Sequence, residues 1–257
     1  MSFSRLANTD TLEETLYYLN KVNPSGIVFD PWTTGVSIAI NNHFQKVPGQ
    51  HSQIIHIKLA ERKSISHVKS KVDEEVCIPE SHPCLIVFSS GTTGKPKGVV
   101  LPRRRFFFPI RKGPRLMYLT YRPVHWISSA LAPIKSSLTG SQCICLKHGA
   151  SPGDVWEALR AGNITATSIT PTRLKAMQEY YHSNIRQMSP EEHDSYVSGF
   201  SKLTLLTSTG SILHPATAKF WKDLTNISVV GVYGTTELAV AAFQTSPDSP
   251  HIEVRLS

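Results

Sequence analysis

The sequence lacks the features that mark membrane-spanning, secreted and metal-binding proteins. No stretch approaches the ~18 consecutive apolar residues of a spanning helix, and the N-terminal residues lack the basic start and apolar core of a secretory leader. The four cysteines form no Cys-x-x-Cys pair, and the eleven histidines have no metal-ligand spacing. These absences predict a protein of the reducing cytoplasm, without a transmembrane segment or a structural metal held by side chains.

A charge surplus spread over the whole chain is also missing. The net charge is +8, from 27 basic and 19 acidic residues, but six of the basic residues lie in the segment from Arg103 to Arg115. No nucleic-acid fold signature accompanies this segment, and we therefore expect no nucleic-acid partner. A solvated helix or loop is the simpler interpretation of the segment, and contact with a membrane surface or a polyanion is the alternative.

The order of apolar and polar stretches predicts an α/β fold. Strands expected at 142–146, 164–169, 203–207 and 227–232 alternate with helices that begin at Pro152, Pro171 and Pro215. Strands separated by helices of this length form right-handed crossovers in a largely parallel, helix-covered sheet. We interpret residues 183–199 as an exposed polar excursion, and Asp10 with Glu13 as the cap of a first helix.

One loop has the composition of a phosphate-binding site. Residues 89–98 supply four hydroxyls, three glycines and two lysines between the apolar runs 85–88 and 99–101. Glycines let backbone N–H groups turn towards an anion, and ammonium groups offset the charge of a polyphosphate. The loop is not of the Walker type, because Pro96 follows Lys95 where that motif has Ser or Thr. The pattern predicts a strand-loop-strand clamp for a triphosphate, with an ordinary linker as the alternative.

The same loop, Ser-Ser-Gly-Thr-Thr-Gly-Lys-Pro-Lys-Gly at 89–98, resembles the signature of the adenylate-forming superfamily. That superfamily includes acyl-CoA synthetases, aryl-CoA ligases, luciferases and the adenylation domains of peptide synthetases. A second motif, Tyr-Gly-Thr-Thr-Glu at 233–237, is similar to the family's Tyr-Gly-x-Thr-Glu element and follows in the right order. Within the superfamily the chain is most similar to acyl-CoA synthetases of the malonyl-CoA type, and the resemblance runs from Asn20 to Pro250.

The resemblance implies the middle part of the family's large N-terminal domain. We expect a partial N-terminal subdomain over residues 1–80 and an AMP-binding core over 81–257, which contains the phosphate loop 86–100 and an adenine and magnesium region at 208–237. In the family, a ribose-binding Asp and a mobile C-terminal domain with a catalytic Lys follow the second motif. Both are expected to be absent here, which leaves open a partner chain that completes the fold.

Site residues follow from the resemblance. The phosphate loop would hold the β- and γ-phosphates of ATP, Glu237 would carry Mg²⁺, which prefers carboxylate and phosphate oxygens, and Thr236 would contact the α-phosphate. The residues expected to act in catalysis are Lys97, Thr236, Glu237 and His125. The residues expected to bind the nucleotide are Ser89, Ser90, Gly91, Thr92, Thr93, Gly94, Lys97, Gly210, Ser211, Tyr233, Gly234 and Thr235.

Two of these assignments depart from the family pattern or have a structural alternative. Gly210 and Ser211 belong to a turn similar to the family's Gly-Gly-Ala-Pro-Leu turn, which packs on adenine, but Thr209 stands where the first glycine is expected. Tyr233 would offer a stacking surface for the base. His125 aligns with a family histidine near the acid pocket, and a packed core histidine is the alternative interpretation.

The implied function is that of an acyl-CoA ligase. Such an enzyme activates a carboxylic acid with ATP to an acyl-adenylate and then forms a thioester with CoA, so ATP, Mg²⁺, CoA and a small carboxylic acid are the expected ligands. The alternative is a catalytically inactive remnant or ATP-binding pseudoenzyme of the same family. The acid is not specified by the sequence: selectivity for a dicarboxylate would need a buried cation, and Arg173 is one candidate among many basic residues.

Overall fold

The computed structural model describes residues 3–4, 11–29, 34–46, 53–56, 75–89, 94–107, 115–123, 125–147, 149–239, 241–246 and 249–254. No helix in this part of the chain has both the length and the apolar character to cross a membrane. The α-helices in these ranges are α1 (Leu12–Val22), α2 (Thr34–Lys46), α3 (Ile127–Thr139), α4 (Pro152–Ala161), α5 (Pro171–Ser183), α6 (Pro190–Ser201) and α7 (Pro215–Thr225).

Short 3₁₀ helices span Arg103–Phe106 and Ile185–Gln187. The strands are numbered in chain order. They are β1 (Phe3–Ser4), β2 (Gly26–Phe29), β3 (Gln53–His56), β4 (Pro83–Ser89), β5 (Lys97–Pro102), β6 (Met117–Thr120), β7 (Gln142–Cys145), β8 (Ala166–Ser168), β9 (Leu205–Thr209), β10 (Val230–Gly234), β11 (Ala241–Ser246) and β12 (Ser249–Val254).

A seven-stranded sheet with the order β12-β11-β10-β9-β8-β6-β7 forms the centre of the fold. Strands β10, β9, β8, β6 and β7 pair in parallel, and β11 and β12 add an antiparallel edge. The prediction of an α/β protein with a largely parallel, helix-flanked sheet is therefore confirmed. Two smaller sheets accompany it, one with the order β1-β4-β5 and one that pairs β2 with β3.

The two faces of the large sheet carry different helices, as consecutive residues of β6 show. Leu119 belongs to an apolar core with residues of α4, α5, α6 and α7. The next residue, Thr120, hydrogen-bonds through its Oγ1 to Oγ of Ser129 on α3 at 3.2 Å. Because successive side chains of a strand point to opposite faces, α3 covers one face and α4–α7 cover the other.

Four helices begin with proline at the first helical turn, because the fixed φ of proline suits that position and its missing N–H is not needed there. Sequence analysis predicts three of them, and α4, α5 and α7 begin at the expected residues Pro152, Pro171 and Pro215. Ser151 and Thr170 cap α4 and α5 through their hydroxyl groups. The fourth helix, α6, begins at Pro190.

Two local predictions are wrong. The first helix is capped by Thr11, whose Oγ1 accepts from the N–H of Glu14 at 3.2 Å while the Glu14 carboxylate accepts from the N–H of Thr11 at 2.9 Å; Asp10 lies outside the described residues. The segment 183–199 is not exposed throughout, because Ile185 and Tyr196 within it are buried in the main core.

Candidate active site

The phosphate-loop sequence forms an antiparallel hairpin, as the pattern predicts. Strands β4 and β5 pair from Pro83 and Pro102 to Ser89 and Lys97, where the loop begins. Gly98 faces the ring of Phe88 so closely that a Cβ there would lie 3.3 Å from its Cε1, so a larger residue would displace the ring. The tip of the loop, Ser90, Gly91, Thr92 and Thr93, lies outside the described residues.

Helix α1 contacts the part of this loop that leads into β5. The hydroxyl of Tyr17 donates to the carbonyl oxygen of Pro96 at 3.0 Å. The ammonium groups of Lys95 and Lys21 lie 5.4 Å and 5.8 Å from the centre of the Tyr17 ring, within the range of cation–π attraction. A cavity of about 440 Å³ opens beside the loop and is lined by Tyr17, Lys21, Lys95, Pro96, Lys97 and Gly98.

The second motif forms the end of β10 and the turn that follows it. Tyr233 is 60% exposed, and its ring centre lies 5.9 Å from that of Phe243 on β11. Gly234 is exposed, Thr235 and Thr236 are half-buried, and Glu237 is exposed. The carbonyl oxygens of Thr235 and Thr236 both accept from the N–H of Ala239, at 3.2 Å each, and this closes the turn. The turn therefore presents the Glu237 carboxylate to solvent.

A small apolar cluster joins this turn to the phosphate hairpin. Ala239, two residues after Glu237, is 6% exposed and packs in one cluster with Leu85 and Val87 of β4. Ala130 of α3 belongs to the same cluster. The hairpin, the turn and α3, whose N-terminal end follows His125, are thus held together by one buried contact set. Two motifs that are far apart in the sequence are brought to the same region of the fold.

The turn after β9 holds two of the expected adenine contacts. Gly210 has φ +103°, a conformation that favours glycine, and a Cβ there would lie 3.8 Å from Cγ2 of Thr170. Ser211 is exposed. The preceding Ser208 is 2% exposed, and its Oγ has no hydrogen-bond partner among the described residues. The turn thus lies at the carboxyl end of the parallel sheet, next to the start of α5.

His125 lies just before α3 rather than in the main core. It is half-buried, and its ring meets that of Trp126 edge-to-face at 6.4 Å between centroids. Trp126 itself is 49% exposed. His125 is therefore not a fully buried core histidine.

Arg122 is a buried residue that was not predicted from the sequence. It is only 8% exposed. Its Nη1 donates to Oγ of Ser128 at 2.9 Å, and its Nη2 donates to the carbonyl oxygen and to Oγ of Ser168, both at 3.1 Å. Burial raises the pKa of the nearby Tyr118, and the charge of Arg122 opposes that rise. The sequence feature that could have indicated it is a charged residue just after the end of an apolar strand. Arg173, the cation named from the sequence, is only half-buried.

The residues near the second motif suit a magnesium ion that is bound mainly through its nucleotide. The described part of the chain contains no group of three or more His, Cys, Asp or Glu side chains able to hold a metal ion by themselves. Magnesium keeps several waters and is commonly bound by one or two carboxylates together with phosphate oxygens. A single exposed carboxylate, Glu237, beside two threonine hydroxyls fits that pattern of binding.

The hairpin that carries residues 89–98, the turn that carries Glu237 and the largely parallel sheet together are typical of the adenylate-forming fold class. Comparison with known proteins identifies the family. Residues 5–255 match the family model described as "AMP-binding enzyme", and the chain belongs to this family.

Relatives and solved structures agree with this assignment. The chain is 25% identical to the acyl-CoA ligase oryP of Aspergillus oryzae over 72% of its own length and 37% of that protein. It is 24% identical to the malonate–CoA ligase ACSF3 of Homo sapiens over 65% of its length and 31% of that protein. It thus spans about a third of the length of these curated relatives. The fold matches the anthranilate CoA ligase AuaEII with a TM-score of 0.72 and 17% identity, over 96% of this chain and 48% of that one.

Proposed function

We propose that the chain carries the adenylation site of an acyl-CoA ligase. The reaction joins the carboxylate of an acid to the α-phosphate of ATP, releases pyrophosphate, and then transfers the acyl group to the thiol of CoA with release of AMP. The observation that carries the proposal is that Ala239, Leu85 and Val87 belong to one buried apolar cluster. This cluster supports a position of the Glu237 turn near the strand that leads into the phosphate loop.

The proposed roles follow from chemistry and position. Lys97 and the hydroxyls and N–H groups of the loop would hold the β- and γ-phosphates, and Thr236 would donate to an α-phosphate oxygen. Preorganised donors of this kind favour the charge that develops as pyrophosphate leaves. Glu237 would bind Mg²⁺, which neutralises phosphate charge when it is bound. The residues proposed to hold the nucleotide are those named in the sequence analysis, from Ser89 to Gly94 with Lys97, and Gly210, Ser211, Tyr233, Gly234 and Thr235.

The acid would lie between the phosphate hairpin and the start of α3, where His125 is found. Two relatives are named as an acyl-CoA ligase and a malonate–CoA ligase, which supports a carboxylic acid as substrate. Malonate should therefore be among the first acids tested. We also propose a subdomain boundary near residue 80, supported by the separate β2–β3 sheet that precedes it. A reducing cytoplasmic location is proposed as well, and the four free cysteine thiols support it.

The experiment is acid-dependent exchange of labelled pyrophosphate into ATP by the purified 257-residue chain. Exchange that requires both a carboxylic acid and Mg²⁺ would establish adenylation, and formation of the thioester on addition of CoA would establish the second step. Binding of ATP without exchange for any acid in the panel would instead support the alternative, an ATP-binding member of the family without its own adenylation activity.

A further inference from the structure

The guanidinium of Arg122 is buried and has no acidic partner among the described residues. None of the ion pairs found among the described residues includes it. Its three hydrogen bonds go to neutral groups, namely two serine hydroxyls and one carbonyl oxygen. Nε is fully buried and has no partner in this part of the chain. Of the five N–H groups of an arginine, the one on Nε and one on Nη1 have no acceptor among the described residues.

The start of α3 adds a second source of positive potential at the same place. Ser128, which accepts from Nη1 of Arg122, lies in the first turn of this 13-residue helix. The cap residue Trp126 makes no side-chain hydrogen bond to the helix, and the first turn contains no acidic residue. The unsatisfied N–H groups at the start of a helix favour an anion. Among the residues that the structure describes, no ion pair therefore compensates the buried cation beside this helix N-terminus.

The topology places these groups where open α/β sheets bind ligands. Strand β6 connects through α3 to β7 on one side, whereas β8 connects to β9 on the other. The crevice between the carboxyl ends of β6 and β8 is therefore the point at which the direction of the connections reverses, the usual ligand site of such sheets. Arg122 follows the end of β6, and Ser168 is the last residue of β8.

We propose that Arg122, Ser128 and Ser168 form an anion site for a carboxylate, and that this carboxylate is a second acid group of the substrate. A carboxylate would accept a short, charge-assisted hydrogen bond from one of the free donors of the guanidinium. It would also offset the potential of the helix start. The substrate class is then an acid with two anionic groups, one that is adenylated and one held by Arg122. The substrate assignment rests on the proposed ligase function.

The first test compares acids of equal carbon number in pyrophosphate exchange: malonate with propanoate, succinate with butanoate, and glutarate with pentanoate. We expect one dicarboxylate to be favoured over its monocarboxylate partner by kcat/KM. In Arg122→Gln, kcat/KM for that dicarboxylate should fall roughly 10- to 100-fold, the effect of losing a charged hydrogen-bond partner, while the monocarboxylate is little affected. Equal loss for both acids, or an unchanged preference, would overturn the proposal.

Arg173→Gln is the matched control. Its guanidinium lies 5.1 Å from the ring centre of Tyr121, the residue before Arg122. Unlike Arg122 it has an acidic neighbour, because its charge helps to lower the pKa of Asp154. The dicarboxylate preference should persist in this variant. If the preference is lost in Arg173→Gln and kept in Arg122→Gln, Arg173 and not Arg122 binds the second carboxylate, and the proposal is wrong.

A binding measurement separates this site from the ligase reaction. The melting temperature of the native chain should rise with the favoured dicarboxylate and not with its monocarboxylate partner, since a ligand that binds only the folded state stabilises it. If no acid supports exchange but the dicarboxylate stabilises the native chain and not Arg122→Gln, the anion site stands and the ligase function fails. If no dicarboxylate stabilises the native chain, the anion site is rejected, whatever the exchange assay shows and whether or not the variant folds.

Discussion

The hydroxyl of Tyr17 on α1 donates a hydrogen bond of 3.0 Å to the carbonyl oxygen of Pro96 in the phosphate loop. This contact links residues that are 79 positions apart and fixes the backbone just before Lys97. Tyr17 is thus a positioning residue for the loop. The ammonium groups of Lys21 and Lys95 lie 5.8 Å and 5.4 Å from the centre of its ring, so Tyr17 contacts both the backbone of the loop and the positive charge next to it.

Tyr17→Phe should weaken ATP binding without unfolding the chain. The substitution keeps the ring and removes one hydrogen bond, for which a loss of about threefold to tenfold in affinity is expected. Isothermal titration with ATP and with AMP would measure it. AMP should be affected less, because it lacks the phosphates that the loop is proposed to hold. An unchanged ATP affinity would show that the contact with Pro96 does not order the loop.

Lys97→Ala should weaken ATP binding more than AMP binding. Lys97 lines the cavity beside the loop, and its ammonium group is proposed to face the β- and γ-phosphates. The loss of a charged donor to phosphate should lower ATP affinity roughly 10- to 100-fold. Lys175→Ala, at an exposed position of α5, is the control and should leave both affinities unchanged. Equal losses for ATP and AMP at Lys97 would reject the phosphate role.

Much of the fold can be predicted from local patterns. The strands from β7 to β10 and the helices that begin at Pro152, Pro171 and Pro215 are marked by short apolar runs and by a capping residue followed by proline. The packing of α6 cannot be predicted in this way. Its buried face depends on Gly199, which lets the helix approach the backbone of α4. A contact between segments that are distant in the sequence cannot be predicted from the local pattern of residues.

For the site, the motifs themselves are recognisable but their relationship is not. Glu237 and the phosphate loop carry distinctive sequences, yet the buried cluster next to both of them contains Ala239 and Val87, which are ordinary small and apolar residues. Arg122 was missed for a related reason: nothing in a sequence distinguishes a buried arginine from an exposed one until the strands beside it are placed. The sequence therefore predicts the chemistry of single motifs better than it predicts their neighbours.

Gly199→Ala should destabilise the fold. A Cβ at this position would lie 2.7 Å from Cα and 3.0 Å from N of Arg160, and 2.8 Å from the carbonyl oxygen of Leu159, so two backbones would have to separate. Overpacking of this kind costs about 1–3 kcal/mol in the free energy of unfolding. Chemical denaturation would measure the change. Ser198→Ala, at the exposed neighbouring position, should stay within about 0.5 kcal/mol of the native chain.

Asp154→Asn should destabilise the chain at neutral pH and not in acid. Hydrogen bonds from the N–H and the hydroxyl of Ser151 lower the pKa of Asp154 below its ordinary 3.8. A carboxyl whose pKa is lowered in the folded state stabilises the fold above its unfolded pKa and loses this effect as the pH falls through the folded pKa. Melting temperatures of the two chains should therefore converge in acid.

Ser151→Ala tests the cause of that convergence. It removes the hydroxyl that donates to Asp154 at 2.9 Å and keeps the backbone N–H that donates at 2.7 Å. The pKa of Asp154 should then rise, and its stabilising effect should disappear at a higher pH than in the native chain. A constant gap between native and Asp154→Asn chains at every pH would show that the asparagine acts through something other than lost charge.

Glu237→Gln should abolish most of the Mg²⁺ dependence of nucleotide binding while the fold persists. The carboxylate is exposed, so the change in the free energy of unfolding should stay within about 0.5 kcal/mol. Its charge, by contrast, is proposed to help hold the Mg²⁺ that would accompany the nucleotide. In the native chain, ATP affinity should be higher with Mg²⁺ than without it, and in Glu237→Gln the two affinities should be nearly equal. The control Glu179→Gln, at an exposed position of α5, should behave like the native chain. A large fall in melting temperature with an unchanged Mg²⁺ response would make Glu237 a structural residue of the turn.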